Sequence, residues 1–511
     1  MVLVRRYVRN AGANVARVVA STLVALLLPP ILIGALPRSS YNTWLLVLQL
    51  AAYVGYLELG VQSAMSRFIA HGAELDRIED QSRAISSALF LMTAVAVVGM
   101  FASLGLAGAM PHLFADIPPD LHGDTRVAVF LVGVSVATGL PAAVLSGAYM
   151  GLRRYEVPAA ILIVGKLIGA ALVAAAALVT ASMRLMAVSM TVANLATHAA
   201  LWMVYERSRF RVPLGRSWIS WPSVRAVLVH CASLQIWTLG TILVSGLDLT
   251  IVGIWDFQAV AYFAIAAVAV SFVGQLQGSV VAVLMPEAAA LHARRAQEAL
   301  GRMLIRFTRY GTLVLLAAGL PLFLGAELLL TLWVGADFAD HASTLLRVLL
   351  VANTIRLVSL PYATMLVGVG EHGRVWLSPI VGGVINAAVS VAATMAYGAI
   401  GAALGTLSGG IVETGMHLAY NLPRTNALRV SPRQLLLGGM LRPALILTPL
   451  LPLLALAATR RLDLGAWWVT GGALFLGVCA AGYLAWRIVL EPEERTLVTR
   501  FLRSMRQIPL M

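Results

Sequence analysis

Apolar runs near twenty residues recur from one end of this chain to the other, and each is long enough to cross a bilayer as a helix at about 1.5 Å per residue. They lie near residues 14–36, 41–70, 84–108, 125–150, 155–180, 184–205, 225–254, 258–285, 308–333, 342–369, 375–398, 400–420, 441–458 and 466–488. Hydrocarbon accepts only backbones whose polar groups are satisfied internally. The expected fold is therefore an all-α polytopic membrane protein with about fourteen transmembrane helices. Composition agrees: 60% of the residues are hydrophobic and 12% charged, where soluble domains carry about 25% charge. The basic opening "MVLVRRYVRN" leads into a run longer than a leader's apolar core, so the first span is read as retained. The two cysteines, Cys231 and Cys479, both sit in apolar runs, which excludes a disulfide framework or a CxxC metal site.

Arginine placement gives an orientation. Alternate connections are basic ("RRYVR", "GLRRYEV", "ERSRFRVPLGRSW", "HARRAQEALGRMLIRFTRY", "PRTNALRVSPR" and the tail "ERTLVTRFLRSMR"), and the others are nearly free of Arg except "TRRLDLG". The basic side is cytoplasmic by the positive-inside rule, which places both termini inside. The net charge of +14 thus reads as a topology signal meeting anionic lipid, not as a nucleic-acid surface. Arg294, Arg295, Arg302, Arg306 and Arg309 suggest an amphipathic helix lying on the headgroups. No loop carries a GxxxxGK[ST] phosphate loop, so ATP hydrolysis within the chain is not expected.

A shift of about 216 residues lays "SSYNTWLLVLQ" over "WDFQAVAYFAI" and "GVQSAMSRFIA" near "QGSVVAVLMPE". If this is an internal repeat, residues 1–205 form an N-terminal lobe of spans one to six and 225–421 a second lobe of spans seven to twelve. Residues 206–224 are then a basic linker, and 422–511 two extra spans and a tail.

Several segments together resemble a known family. "YLELGVQSAMSRFIA" is similar to the second-span signature of the Wzx-type polysaccharide flippases, a branch of the multidrug/oligosaccharidyl-lipid/polysaccharide exporter superfamily. Glu58, Leu59, Gly60, Arg67 and Phe68 stand at its characteristic places. "SGLDLTIVGIWDFQAVAYFAIA", "VLSGAYMGLRRYEV" and "LPYATMLVGVGEHGR" resemble later parts of the same family pattern, in order. The resemblance implies two six-helix lobes around a central cavity, and movement of a lipid-linked sugar across the bacterial inner membrane. It implies a substrate of polyprenyl diphosphate type, contact with membrane lipids, and a polysaccharide polymerase or glycosyltransferases as partners. Lys166 is the sole lysine, a departure that leaves arginine to line any cationic cavity.

Charged side chains at mid-depth are costly in hydrocarbon, by about 2.5–3.5 kcal/mol on insertion scales, and so become functional candidates. They are Lys166, His198, Arg356, Glu413 and His417, with Glu58 in the inner half of span two and Asp248 in the outer third of span seven. Arg17 and Arg67 lie near inner span ends, within reach of the interface by snorkelling. Lys166 and Arg356 are too deep for that. Either they pair with Glu58 or Glu413, or they meet a diphosphate, which a guanidinium grips with its planar fork. Asn353 shares a helical face with Arg356. Glu413 and His417, spaced i,i+4, either satisfy each other or exchange a proton. Glu58, Asp248 and Glu413 are the acids placed to bind a coupling H⁺ or Na⁺; no other cofactor is expected. Short outer loops argue against an enzyme. The alternative is a cation-coupled multidrug exporter of the related branch, which the mid-depth cations disfavour.

Overall fold

The computed structural model describes residues 2–371 and 377–445, with scattered residues between 472 and 496. The spans expected at 441–458 and 466–488, and the basic tail, fall almost wholly outside the described residues. Among the described residues all regular structure is helical. Ten stretches of the described residues are long and apolar enough to cross a membrane, so this is a multi-pass membrane protein.

By contact the chain divides into two compact units. The first takes residues 1–239 and 249–264. It carries α1 (Val2–Ala35), α2 (Arg38–Gly55), α3 (Val61–Glu74), α4 (Ile78–Leu113), α5 (His122–Ala137), α6 (Gly139–Gly151), α7 (Glu156–Thr180), α8 (Met183–Glu206), most of α9 (Trp221–Thr241) and α10 (Asp248–Trp255), and the start of α11 (Val260–Val281). The second takes residues 240–248 and those from 265 onward. It carries the rest of α11, then α12 (Leu284–Ala293), α13 (Gln297–Leu324), α14 (Ala326–Val334), α15 (Ala336–Leu357), α16 (Leu360–Gly368), α17 (Leu377–Tyr397) and α18 (Ala399–Met416).

The second expected span is not one helix. It breaks where the sequence reads "YLELG". Tyr56–Glu58 tightens into a 3₁₀ turn, and Leu59 and Gly60 both turn left-handed, at φ 58° and 71°. Gly60 takes that backbone without penalty, whereas Leu59 is strained. The same division recurs elsewhere. α5 gives way to α6 around Thr138. α15 gives way to α16, where Pro361 near the start removes a backbone donor.

The two units repeat one packing scheme. In the first, α7 pairs with α8, α5 with α8 and with α4, and α3 with α6. In the second, α17 pairs with α18, α15 with α18 and with α14, and α12 with α16. Glycine permits the short-helix pairs. A Cβ on Gly147 would stand 2.7 Å from the Gln62 carbonyl, and one on Gly151 2.7 Å from that of Ser66. Gly368 presses equally close to the Met285 carbonyl, at 2.6 Å. α18 meets α17 along Gly401, Gly405 and Gly409, one turn apart, a small-residue seam suited to close helix approach.

One expectation is corrected. The arginines after Ala293 do not form a separate surface helix. Arg302, Arg306 and Arg309 belong to the first turns of α13, which runs unbroken to Leu324. Arg309 is buried and donates from Nε to the Gly438 carbonyl at 3.2 Å, so it serves packing rather than headgroups.

Candidate functional site

A closed circuit of polar atoms lies in the second unit. The helix entering it passes through a π turn, Ile242–Gly246, before α10 begins at Asp248. This discontinuity brings the Asp248 carboxylate, 6% exposed, against α17 and α18. Its Oδ2 accepts from Thr406 Oγ1 at 2.8 Å and its Oδ1 from Asn386 Nδ2 at 3.3 Å. Ser390 Oγ lies 2.9 Å from Asn386 Oδ1 and 3.3 Å from the Ala402 carbonyl. Thr406 Oγ1 closes the circuit at 3.2 Å from that carbonyl.

The circuit is short of hydrogens. Ser390 and Thr406 each have a single hydroxyl hydrogen and two acceptors within reach. Oxygen lone pairs therefore face one another, an arrangement a hard cation stabilises. One carboxylate among neutral oxygens matches a single positive charge. Groups of three or more His, Cys, Asp or Glu are absent among the described residues.

Arg356 lies near the end of α15, and its charge acts on Asp248. Its Nη2 donates to Asn353 Oδ1 at 2.9 Å, while Asn353 itself donates to the Leu349 carbonyl. Arg356 Nε is buried without a hydrogen-bond partner. α18 approaches α15 closely here: a Cβ on Gly410 would stand 3.2 Å from that of Arg356. One turn on, Glu413 is 9% exposed. Its Oε1 is 3.9 Å from His417 Nε2, a loose pair, and its Oε2 has no partner. His417 Nδ1 meets the Asn421 amide at 3.1 Å, and the Tyr362 ring stands edge-on at 5.5 Å.

Lys166 belongs to the first unit. It projects from α7 about 15 Å along the helix from Glu156 and about 21 Å from Thr180. Its Nζ donates to Ser21 Oγ on α1 at 3.1 Å, and Arg17, one turn earlier on α1, repels it electrostatically. Lys166 therefore makes no pair with Glu58; it shares an exposed cationic patch with Arg17. Glu58, in the turn after α2, bonds instead with the Gln62 side chain and lies near Cys231. Gly60 supplies the left-handed link. Arg67 is exposed and near His230, whose ring meets Phe68 edge-on at 6.2 Å. His198 is held by Thr138 Oγ1 at 3.3 Å.

Asn386, Ser390, Thr406 and Ala402 escaped the sequence reading because none is charged. Their signal is positional: Asn386 and Ser390, and Ala402 and Thr406, are each four apart on neighbouring apolar helices. Small polar residues so spaced share one face.

No family model and no curated protein matches the chain. Solved structures do. One is the lipid II flippase MurJ in an inward closed conformation, with a TM-score of 0.70 at 10% identity over 93% of this chain and 98% of that one. Another is a multidrug resistance transporter of the MATE family, of the MOP superfamily, in an inward-facing conformation. Its TM-score is 0.65 at 15% identity, over 80% of this chain and 97% of that one. A MATE structure in the straight conformation follows at 0.52, with 14% identity over 81% and 95%. At these identities the likeness is one of fold: the chain folds as MurJ and the MATE transporters do.

Proposed function

We propose that this chain is a transporter, not an enzyme, and moves a lipid-linked oligosaccharide or polysaccharide precursor across the bacterial inner membrane by alternating access. The observation carrying the substrate class is the cationic patch of Lys166 and Arg17. Two like charges beside one hydroxyl, far from the ends of α7, repel each other in a poor solvent for ions. A diphosphate between them removes that cost, and it is the headgroup that a polyprenyl-linked sugar carries. Organic cations, the natural cargo of an acid-lined cavity, are repelled by the same patch. The fold shared with a lipid II flippase supports this reading.

The circuit at Asp248 supplies the coupling site, for H⁺ or Na⁺. Its surplus of acceptor oxygens beside an interrupted helix favours Na⁺. The arginine asymmetry supports cytoplasmic termini, and the expected neighbours are a polysaccharide polymerase or glycosyltransferases.

The test is binding of a polyprenyl diphosphate sugar to purified protein, followed by flipping in reconstituted vesicles. Lys166→Ala and Arg17→Ala are each expected to weaken binding about tenfold, as the loss of a charge-assisted phosphate contact of about 1.5–3 kcal/mol predicts at the low end. Unchanged binding in both, or transport of a lipophilic cation in place of the diphosphate, overturns the assignment.

A further inference from the structure

The first unit holds a cavity of about 430 Å³ that has no part in the proposed transport. Three helices wall it: the second half of α3, the start of α4 and the start of α9. The third wall is tied to the second. The Ser220 amide donates to Ser87 Oγ at 3.2 Å and the Gly215 amide to Ser86 Oγ at 3.4 Å. Gly72 lets the other two walls close up, since a Cβ there would stand 2.7 Å from Gln81 Cγ. The cavity is therefore built before any ligand arrives, and its size falls within the roughly 300–1,000 Å³ of small-ligand sites.

Its lining is of two kinds. Phe68, Pro222 and Val227 are apolar, while His71, Asp80, Arg83, Ser220 and Ser223 bring polar atoms. The level is that of a membrane surface. The turn between α3 and α4 separates two stretches apolar enough to span, and Trp221, which opens α9, is 71% exposed, as interfacial aromatics are. Asp80 and Arg83 stand three residues apart on α4, about 4.5 Å along its axis, and both face the cavity. Their present partners hold them weakly: Asp80 pairs with Arg77 at 3.7 Å and Arg83 with Glu79 at 3.3 Å, and ion pairs as exposed as these contribute little. Ser223 Oγ accepts from Ser220 at 2.7 Å, which leaves its own hydrogen to donate. One acid and one base a short step apart match a headgroup with a phosphate and an ammonium joined by two carbons. We propose that this cavity binds phosphatidylethanolamine, its phosphate on Arg83 and Ser223, its ammonium on Asp80 and the start of its chains against Phe68 and Val227. Phosphatidylcholine has no N–H to donate to Asp80, and phosphatidylglycerol has no cation for it. The bound lipid joins α3, which restarts after the left-handed Leu59–Gly60 link, to α4 and α9. On the orientation proposed above it belongs to the cytoplasmic leaflet.

The test is calorimetry on the purified full chain in a non-ionic detergent, with dihexanoyl phospholipids that differ only in headgroup. The ethanolamine lipid is expected to bind about tenfold more tightly than the choline or glycerol lipid, the weight of one charge-assisted hydrogen bond. Asp80→Asn is expected to abolish that preference. Arg83→Gln should weaken the ethanolamine and choline lipids alike, by about tenfold, because both present the phosphate. Asp80 and Arg83 are exposed, so the melting curve of each lipid-free variant should match the wild type. Equal affinity of the wild type for all three headgroups overturns the proposal without recourse to any variant. An ethanolamine preference that survives in Asp80→Asn overturns it as well. Inorganic phosphate that binds as tightly as the ethanolamine lipid marks a free-anion site and overturns the lipid assignment. Lys166 and Arg17 take no part in these measurements, so their outcome is independent of the diphosphate reading.

Discussion

Asn42 shows how much one uncharged residue can hold. Its side chain is buried, donates from Nδ2 to the Phe257 carbonyl at 2.9 Å, and accepts from the Ala261 amide at 3.1 Å. Both faces of the amide are spent on the turn that opens α11, which lies within the same unit as α2. Asn42→Ala leaves the Ala261 amide without its partner, at about 1–3 kcal/mol, while the Phe257 carbonyl keeps the Val260 amide as a donor. A lower melting temperature in detergent is expected, and an unchanged one means water replaces the amide. Nothing in "RSSYNTW" marked this residue, because a single asparagine at a span end is unremarkable. The charges were different. Asp248 and Arg356 stood out against apolar neighbours, and in the structure the charge of Arg356 acts on Asp248. The sequence lacked their company, Asn386, Ser390 and Thr406, since polar residues without charge are common in apolar helices. Thr406→Val keeps the shape and removes the hydroxyl that binds Asp248. It is expected to weaken Na⁺ binding several-fold with little loss of fold, which calorimetry and a melting curve read separately. Equal Na⁺ affinity in Thr406→Val removes Thr406 from the ion site.

At the scale of the helix, the spans were legible and their interruptions were not. Hydropathy follows the solvent outside a helix and is blind to a turn of two residues within it. "LELG" was visible as a motif, yet its physical work is to end α2 and restart the chain as α3, which no count of apolar residues reveals. Glycine positions carry the complementary information. Gly105 and Gly108 on α4 face open space, whereas Gly405 on α18 lies directly against Ser390. Alanine at the first two relieves the backbone entropy of glycine and is expected to stabilise slightly, by up to about 1 kcal/mol each. Gly405→Ala places a methyl on the Ser390 hydroxyl and beside the Asn386 carbonyl. α17 and α18 must separate, and the cation circuit opens with them. The expected result is a lower melting point together with loss of Na⁺ binding. If Gly405→Ala keeps both at wild-type values, the seam between these helices is looser than its geometry states.

At the scale of the whole chain, the two units carry one scheme of helix pairs, written in sequences that share little beyond small-residue and aromatic placement. Packing constrains size and polarity at a contact, and many residues satisfy it, so helix pairs of one kind need leave little trace in the sequence. Energy for transport is also a property of the whole molecule. The sequence contains no phosphate loop of the GxxxxGK[ST] form, and the proposed cycle draws its work from gradients. Moving one elementary charge across the membrane potential is worth about 2.3 kcal/mol per 100 mV. A diphosphate carries negative charge outward, a direction favoured when the interior is negative. In the proposed cycle, Na⁺ returning inward through Asp248 moves charge in the same electrical sense. Both legs of the cycle therefore gain from one potential, and the second gains also from an inward Na⁺ gradient. In vesicles holding the protein in a single orientation, an interior-negative potential is expected to speed outward flipping. An imposed Na⁺ gradient should add to it in the wild type and add nothing in Asp248→Asn. A rate that ignores the potential, measured with a lipid diphosphate sugar on both proteins, means that no net charge crosses with the substrate. The cationic patch at Lys166 and Arg17 would then hold something other than a diphosphate.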